Sequence, residues 1–181
     1  MSNDASHRHV RSDAALRLRP LMDTDEAAFV AAHREMARDR FTFGLGYTPG
    51  MPWQDYLAQQ EARRRGEQVP DGWVPSTFLV ADVGGVIVGR TSIRHELNAF
   101  LLREGGHIGY GVLRAHRRRG YATEILRQSL VVARAVGIDR VLVTCDEGNV
   151  ASARTIERCG GVLESVVVTD GGPAKRRYWI D

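Results

Sequence analysis

Lysine is nearly absent from this chain: Lys175 stands alone against 24 arginines. Almost every basic side chain is therefore a rigid, permanently charged fork rather than a flexible point charge. The bias fits a GC-rich coding sequence and assigns no function by itself. Cysteine is scarce too. Cys145 and Cys159 stand far apart, which excludes a disulfide framework and the paired spacing of a zinc site. Both are expected to be reduced thiols in a cytoplasmic protein. No apolar run approaches the roughly 20 residues that span a bilayer, so no membrane segment is expected. Net charge is only +3, near balance, so the charge does not argue for a nucleic-acid partner. Met1 to Ala15 is polar and lacks the apolar stretch of a secretory signal. Residues 1–14 are expected to form a flexible tail.

The remaining residues, 15–181, suffice for one domain with a real core. Apolar residues make up 43% and charged residues 26%, the balance of a globular protein. Leu16 to Arg19 alternates and stops at Pro20, a short strand. Asp23 or Thr24 caps a helix running to about Arg38. The stretch from Phe41 to Pro52, rich in glycine, proline and aromatics, reads as loop, and Trp53 to Arg65 as a second helix. Thr77–Val83 and Val86–Arg94 are strands joined by a Gly84-Gly85 hairpin turn. A loop leads to the strand His107–Leu113. The helix after Gly120 repeats apolar or small residues at Ala122, Ile125, Leu126, Ser129, Leu130 and Ala133, one buried face, and ends at Gly137. A strand at Arg140–Cys145, a helix at Val150–Cys159 and strands at Val162–Thr169 and Arg176–Ile180 follow. The order βααβββαβαββ predicts an α/β (α+β) domain, with a mixed sheet of six to seven strands flanked by about four helices.

The strongest functional signal is Arg117-Arg118-Arg119-Gly120-Tyr121-Ala122, set between a strand and a helix. The first N–H groups of a helix lack internal partners and lie at the positive end of its dipole. Gly120 keeps side-chain atoms away from an approaching anion, and the arginines add charge suited to phosphate oxygens. A solvated surface loop is the plain alternative for such a turn. Asn149 similarly reads either as a ligand contact or as the cap of the helix that follows.

Arg117, Gly120 and Ala122 fill the specified positions of the motif Q/R-x-x-G-x-G/A, and Asn149-Val150-Ala151-Ser152 follows one strand later. With this element order, the chain resembles the GNAT superfamily of acetyl-CoA-dependent N-acetyltransferases, from about Leu16 to the end and most strongly from His107 to Gly161. Arg94–Asn98, Gly106–Tyr110 and Ile156–Gly161 resemble a branch of unassigned acceptor. The resemblance implies acetyl-CoA as co-substrate and no metal. The pyrophosphate would meet backbone N–H groups around Arg119, Gly120, Tyr121, Ala122 and Thr123, with Arg117 and Arg118 beside it. The pantetheine arm would pair with Val112 and Leu113 like an added strand and bond to Asn149; Ser152 shares that second site. Arg154 or Arg158 would reach the phosphates.

One departure concerns the proton donor. Many members carry a tyrosine seven residues after the asparagine, and here that residue is Ile156. Cys145, Tyr121, Tyr178 or water remain as donors, and a thiolate leaving group can also depart unaided. For the base, Glu96 is the first choice and His107 the second. The acceptor is expected among the early helices, the Phe41–Trp53 loop and the Arg94–Asn98 loop, where Arg94 serves either an acceptor carboxylate or the fold. The implied activity is acetyl transfer to a primary amine, most simply on a small molecule. A protein lysine or N-terminus is the alternative acceptor, and a non-catalytic acyl-CoA-binding domain the alternative class. A homodimer through the C-terminal strands is a further expectation.

Overall fold

The structure is a computed structural model and describes residues 15–181. The tail expected at residues 1–14 lies outside the described residues. Strand β1 is Arg17–Arg19. A short 3-10 turn at Asp23–Asp25 precedes α1, Glu26–Ala37, and α2 is Trp53–Arg64. The strands β2, Ser76–Val83, and β3, Val86–Arg94, form the hairpin, with φ of 60° and 86° at Gly84 and Gly85. Both angles are positive, as a two-residue type I′ turn requires. Then come β4, Ile108–Val112; α3, Tyr121–Ala135; β5, Val141–Asp146; α4, Val150–Arg158; β6, Val162–Val167; and β7, Lys175–Ile180. The expected element order holds throughout. The loop before β4 contains a single wide turn, Leu101–Gly105, which the sequence pattern does not show.

The seven strands form one mixed sheet in the order β1-β2-β3-β4-β5-β7-β6. Every neighbouring pair is antiparallel except β4 and β5. Helices α3 and α4 cover one face, where Leu126, Leu130, Ile156 and Tyr178 pack with Ile93, Ile108 and Val143. Helices α1 and α2 cover the other, where Phe29, Met36, Trp53 and Tyr56 pack on Phe78 and Val80. The face predicted for α3 is buried at Ile125, Leu126, Ser129, Leu130 and Ala133, whereas Ala122, at the helix start, is only half-buried. Among the described residues, no helix is long and apolar enough to cross a membrane.

The parallel pair β4–β5 is registered only at Ile108 and Val143. At this closed end, the His107 N–H donates to the Leu142 carbonyl at 2.7 Å, and the Leu142 N–H donates to His107 Nδ1 at 2.9 Å. Beyond it the strands part.

Candidate active site

The parting of β4 and β5 opens a cleft of about 870 Å³ that runs from the N-terminus of α3 to the C-terminal end of α1. Its β4 wall is a free strand edge. The Leu113 N–H donates to the Val88 carbonyl at 2.9 Å. Antiparallel alternation therefore turns Leu113, Gly111 and Gly109 toward β3, and Tyr110 and Val112 toward the gap. Leu113 departs here from expectation. Its N–H is consumed by the sheet and its side chain is buried under α1, so Tyr110 and Val112 are the residues with backbone groups directed at the cleft.

At the other wall the chain turns into α3. Arg118 and Gly120 adopt left-handed backbone, with φ of 63° and 80°. Left-handed residues within a turn gather successive N–H groups into a concavity suited to anions. Among the described residues, the N–H groups of Arg118, Arg119, Gly120, Tyr121 and Ala122 have no backbone partner, whereas that of Thr123 donates to the Gly120 carbonyl at 3.1 Å. The expectation for Thr123 thus narrows to its side chain, which lines the cleft. A Cβ built on Gly120 would find nothing within 4 Å, so the approach to this turn is open.

The three arginines diverge. Arg117 Nε donates to the Val112 carbonyl at 3.0 Å, and its Nη2 to Asp39 at 2.6 Å. It pins the turn to β4 and to the chain just beyond α1, and also lines the cleft. Arg114 also pairs with Asp39, and the two guanidiniums hold the Asp39 carboxyl well below the usual carboxylate range. Arg118 lines the cleft, as do Arg154 and Arg158 from α4. None of these three is ion-paired with a described residue. Arg119 is not among the residues that line the cleft.

Asn149 Oδ1 accepts the Ser152 N–H at 3.1 Å and so caps α4; both residues also line the cleft. Ser152 Oγ lies 2.9 Å from the Tyr110 hydroxyl, a link across the cleft floor from β4 to α4. Burial pushes the Tyr110 phenol up to about 12. Tyr110 is a lining residue that sequence reasoning missed. Its signal was the alternation Ile108, Tyr110, Val112 on one strand face. Asp39 and Met36 also line the cleft from more than 70 residues earlier in the chain, with no local signal, and Phe41 lines it from the loop expected to meet the acceptor. Ile156 is fully buried in the core.

The two expected bases do not reach this cleft. Glu96 is exposed on the loop after β3. His107 closes the far end of the β4–β5 pair, where Nδ1 is an acceptor for the backbone. Burial, with Arg94 nearby, pushes its imidazole down to about 4. Among the described residues, no group of three or more His, Cys, Asp or Glu side chains is gathered to hold a metal.

Residues 15–162 match the family model for the acetyltransferase (GNAT) domain. The chain belongs to the GNAT acetyltransferases. No curated protein matches it in sequence, but many solved structures share its fold. The yncA protein of Salmonella typhimurium, solved with its cofactor acetyl-CoA, is 19% identical with a TM-score of 0.63, over 92% of this chain and 93% of that one. Mycobacterium smegmatis RimJ, in complex with CoA-disulfide, is 21% identical with a TM-score of 0.67, over 92% and 82%. Spermidine N-acetyltransferase of Vibrio cholerae, in complex with CoA and spermine, is 17% identical with a TM-score of 0.62, over 91% and 94%. This GNAT protein is accordingly an acyltransferase that uses acetyl-CoA.

Proposed function

We propose that the protein transfers the acetyl group of acetyl-CoA to the primary amine of a small molecule, with both substrates meeting in the β4–β5 cleft. The observation that carries the donor half is the run of five N–H groups from Arg118 to Ala122 that have no backbone partner among the described residues, at the N-terminus of a 15-residue helix. These groups hold the pyrophosphate, with the guanidiniums of Arg118, Arg154 and Arg158 at the cleft wall. The free edge at Tyr110 and Val112 pairs with the amide-bearing arm as a further strand would. Asn149 and Ser152 face that arm from α4. Bound there, acetyl-CoA would supply a thioester: the amine nitrogen bonds the acyl carbon, the C–S bond breaks, and the proton lost by the nitrogen ends on the departing thiolate.

The acceptor enters at the α1 end. Met36 and Phe41 close over β4 there: a Cβ on Gly111 would lie 2.7 Å from Phe41 Cζ and 2.9 Å from Met36 Cε. A wall packed this tightly against the strand favours a small amine over a folded polypeptide. The amine attacks only when neutral, so turnover should rise with pH as the acceptor loses its proton.

A parallel thermal-shift titration with acetyl-CoA, CoA and ATP tests the donor site. A ligand selective for the folded state adds about 2.7 kcal/mol at a hundredfold excess over Kd. Acetyl-CoA and CoA are expected to raise Tm and ATP is not. Equal shifts with all three, or none, would sink the assignment.

A further inference from the structure

Strand β3 carries two guanidiniums that the proposed donor site does not use, Arg90 buried and Arg94 half-buried. Arg90 and Arg94 share the sheet face beneath α1 and α2, because Arg90 is paired with Val80 of that core and alternate residues share a face. Arg90 is 4% exposed. Its Nη1 donates to the Gly109 carbonyl at 2.8 Å and its Nη2 to the Thr42 carbonyl at 2.5 Å, while Nε has no partner. Arg94 Nη1 donates to the Gly105 and Gly106 carbonyls at 3.1 and 3.3 Å. Its Nη1 and Nη2 lie 3.3 and 3.4 Å from the position a Cβ on Gly109 would occupy. Two cations therefore converge on one glycine, and neither meets a carboxylate among the described residues.

Buried charge is costly unless an opposite charge offsets it. Burial, and the charge of Arg94, push the Arg90 guanidinium down to about 9, so it still carries its proton at neutral pH. Anchoring the Phe41–Thr42 segment accounts for Nη2, and bracing β4 accounts for Nη1. Arg94 likewise braces the Gly105–Gly106 turn. None of these bonds to carbonyls uses Arg90 Nε or neutralises either charge, which a carboxylate would do.

The pair adjoins the acceptor end of the cleft. Gly111 lines the cleft and lies two residues from Gly109 on the same strand face, about 6.6 Å away. Phe41 stands between, against Gly111 and with its ring centre 4.3 Å from Arg90 Cζ. We infer that the acceptor is a small amino acid, whose carboxylate docks between Arg90 and Arg94 at Gly109 while its amine, a short spacer away, faces the cleft past Phe41. This assignment rests on the proposed acetyl transfer. The same two charges repel polyamines.

The test measures CoA release with matched amines: β-alanine against β-alaninamide, 4-aminobutyrate against butylamine, and spermidine. Each carboxylate is expected to exceed its neutral partner in kcat/KM by about tenfold or more, the range of a charge-assisted contact. Spermidine is expected to be poor. Arg90→Met should erase the ratio within each pair, and Arg90→Lys should restore part of it. Because Arg90→Met also removes the anchor of Thr42, the wild-type ratio is decisive by itself. Equal rates within the pairs, or a preference for spermidine, overturn the inference. So does a wild type that is neither turned over with, nor further stabilised in the presence of CoA by, any carboxylate-bearing amine. Loss of the acetyl-CoA thermal shift would instead strike the donor site, which is read separately and contains neither arginine.

Discussion

The imidazole of His107 accepts the Leu142 N–H on Nδ1 and lies edge-on to Trp179, with ring centroids 6.4 Å apart. Burial, and then Arg94, push it down to about 4 from an ordinary 6.5. The folded state therefore favours the neutral ring, and below pH 6.5 the unfolded chain binds the proton more readily. His107's contribution to stability is complete above about pH 6.5 and is lost progressively as pH falls through 4. In His107→Gln, the fall in Tm between pH 6.5 and 4 is expected to be shallower than in wild type; identical profiles would refute this. A histidine at a strand start reads from sequence as either a base or a structural group. Its partner, Leu142, lies 35 residues away, and only that contact decides between the two.

At the scale of elements, the strand–turn–helix unit from β4 to α3 was fully legible. Its apolar alternation, its glycine and the 3.6-residue period of α3 are local, and the open N–H groups follow from helix geometry. The split of labour among Arg117, Arg118 and Arg119 was not legible, because Asp39 enters from beyond α1 to claim Arg117. Nor did the motif show that Leu113 is spent on β3, which depends on register. Gly120 offers a direct test of the turn. A Cβ there meets no atom, but the left-handed backbone costs a non-glycine residue about 1–2 kcal/mol. Gly120→Ala is expected to lower stability by that amount, read as a lower Tm, and to weaken acetyl-CoA binding, read as a smaller ligand-induced shift. An unchanged shift would mean that the turn does not hold the phosphates.

At the scale of the molecule, β6 is an outer edge of the sheet and exposes Val162, Leu163 and Val166 at 69, 48 and 45%. An apolar edge invites pairing with another strand. We propose a second copy of this chain as its occupant. Sedimentation velocity is expected to show a dimer that Leu163→Lys dissociates; a wild type monomeric across micromolar concentrations would remove the proposal. The sequence by itself determined the element order, the mixed sheet, the buried face of α3 and the phosphate-type turn, because each is written in residues close together along the chain. Tertiary structure alone decided the length of the β4–β5 registry, the neutral clamp at His107, the cross-cleft contact of Tyr110 with Ser152, and the convergence of Arg90 and Arg94 on Gly109. Those features join side chains to partners 15 to 42 residues away, and folding, not local pattern, sets which groups meet.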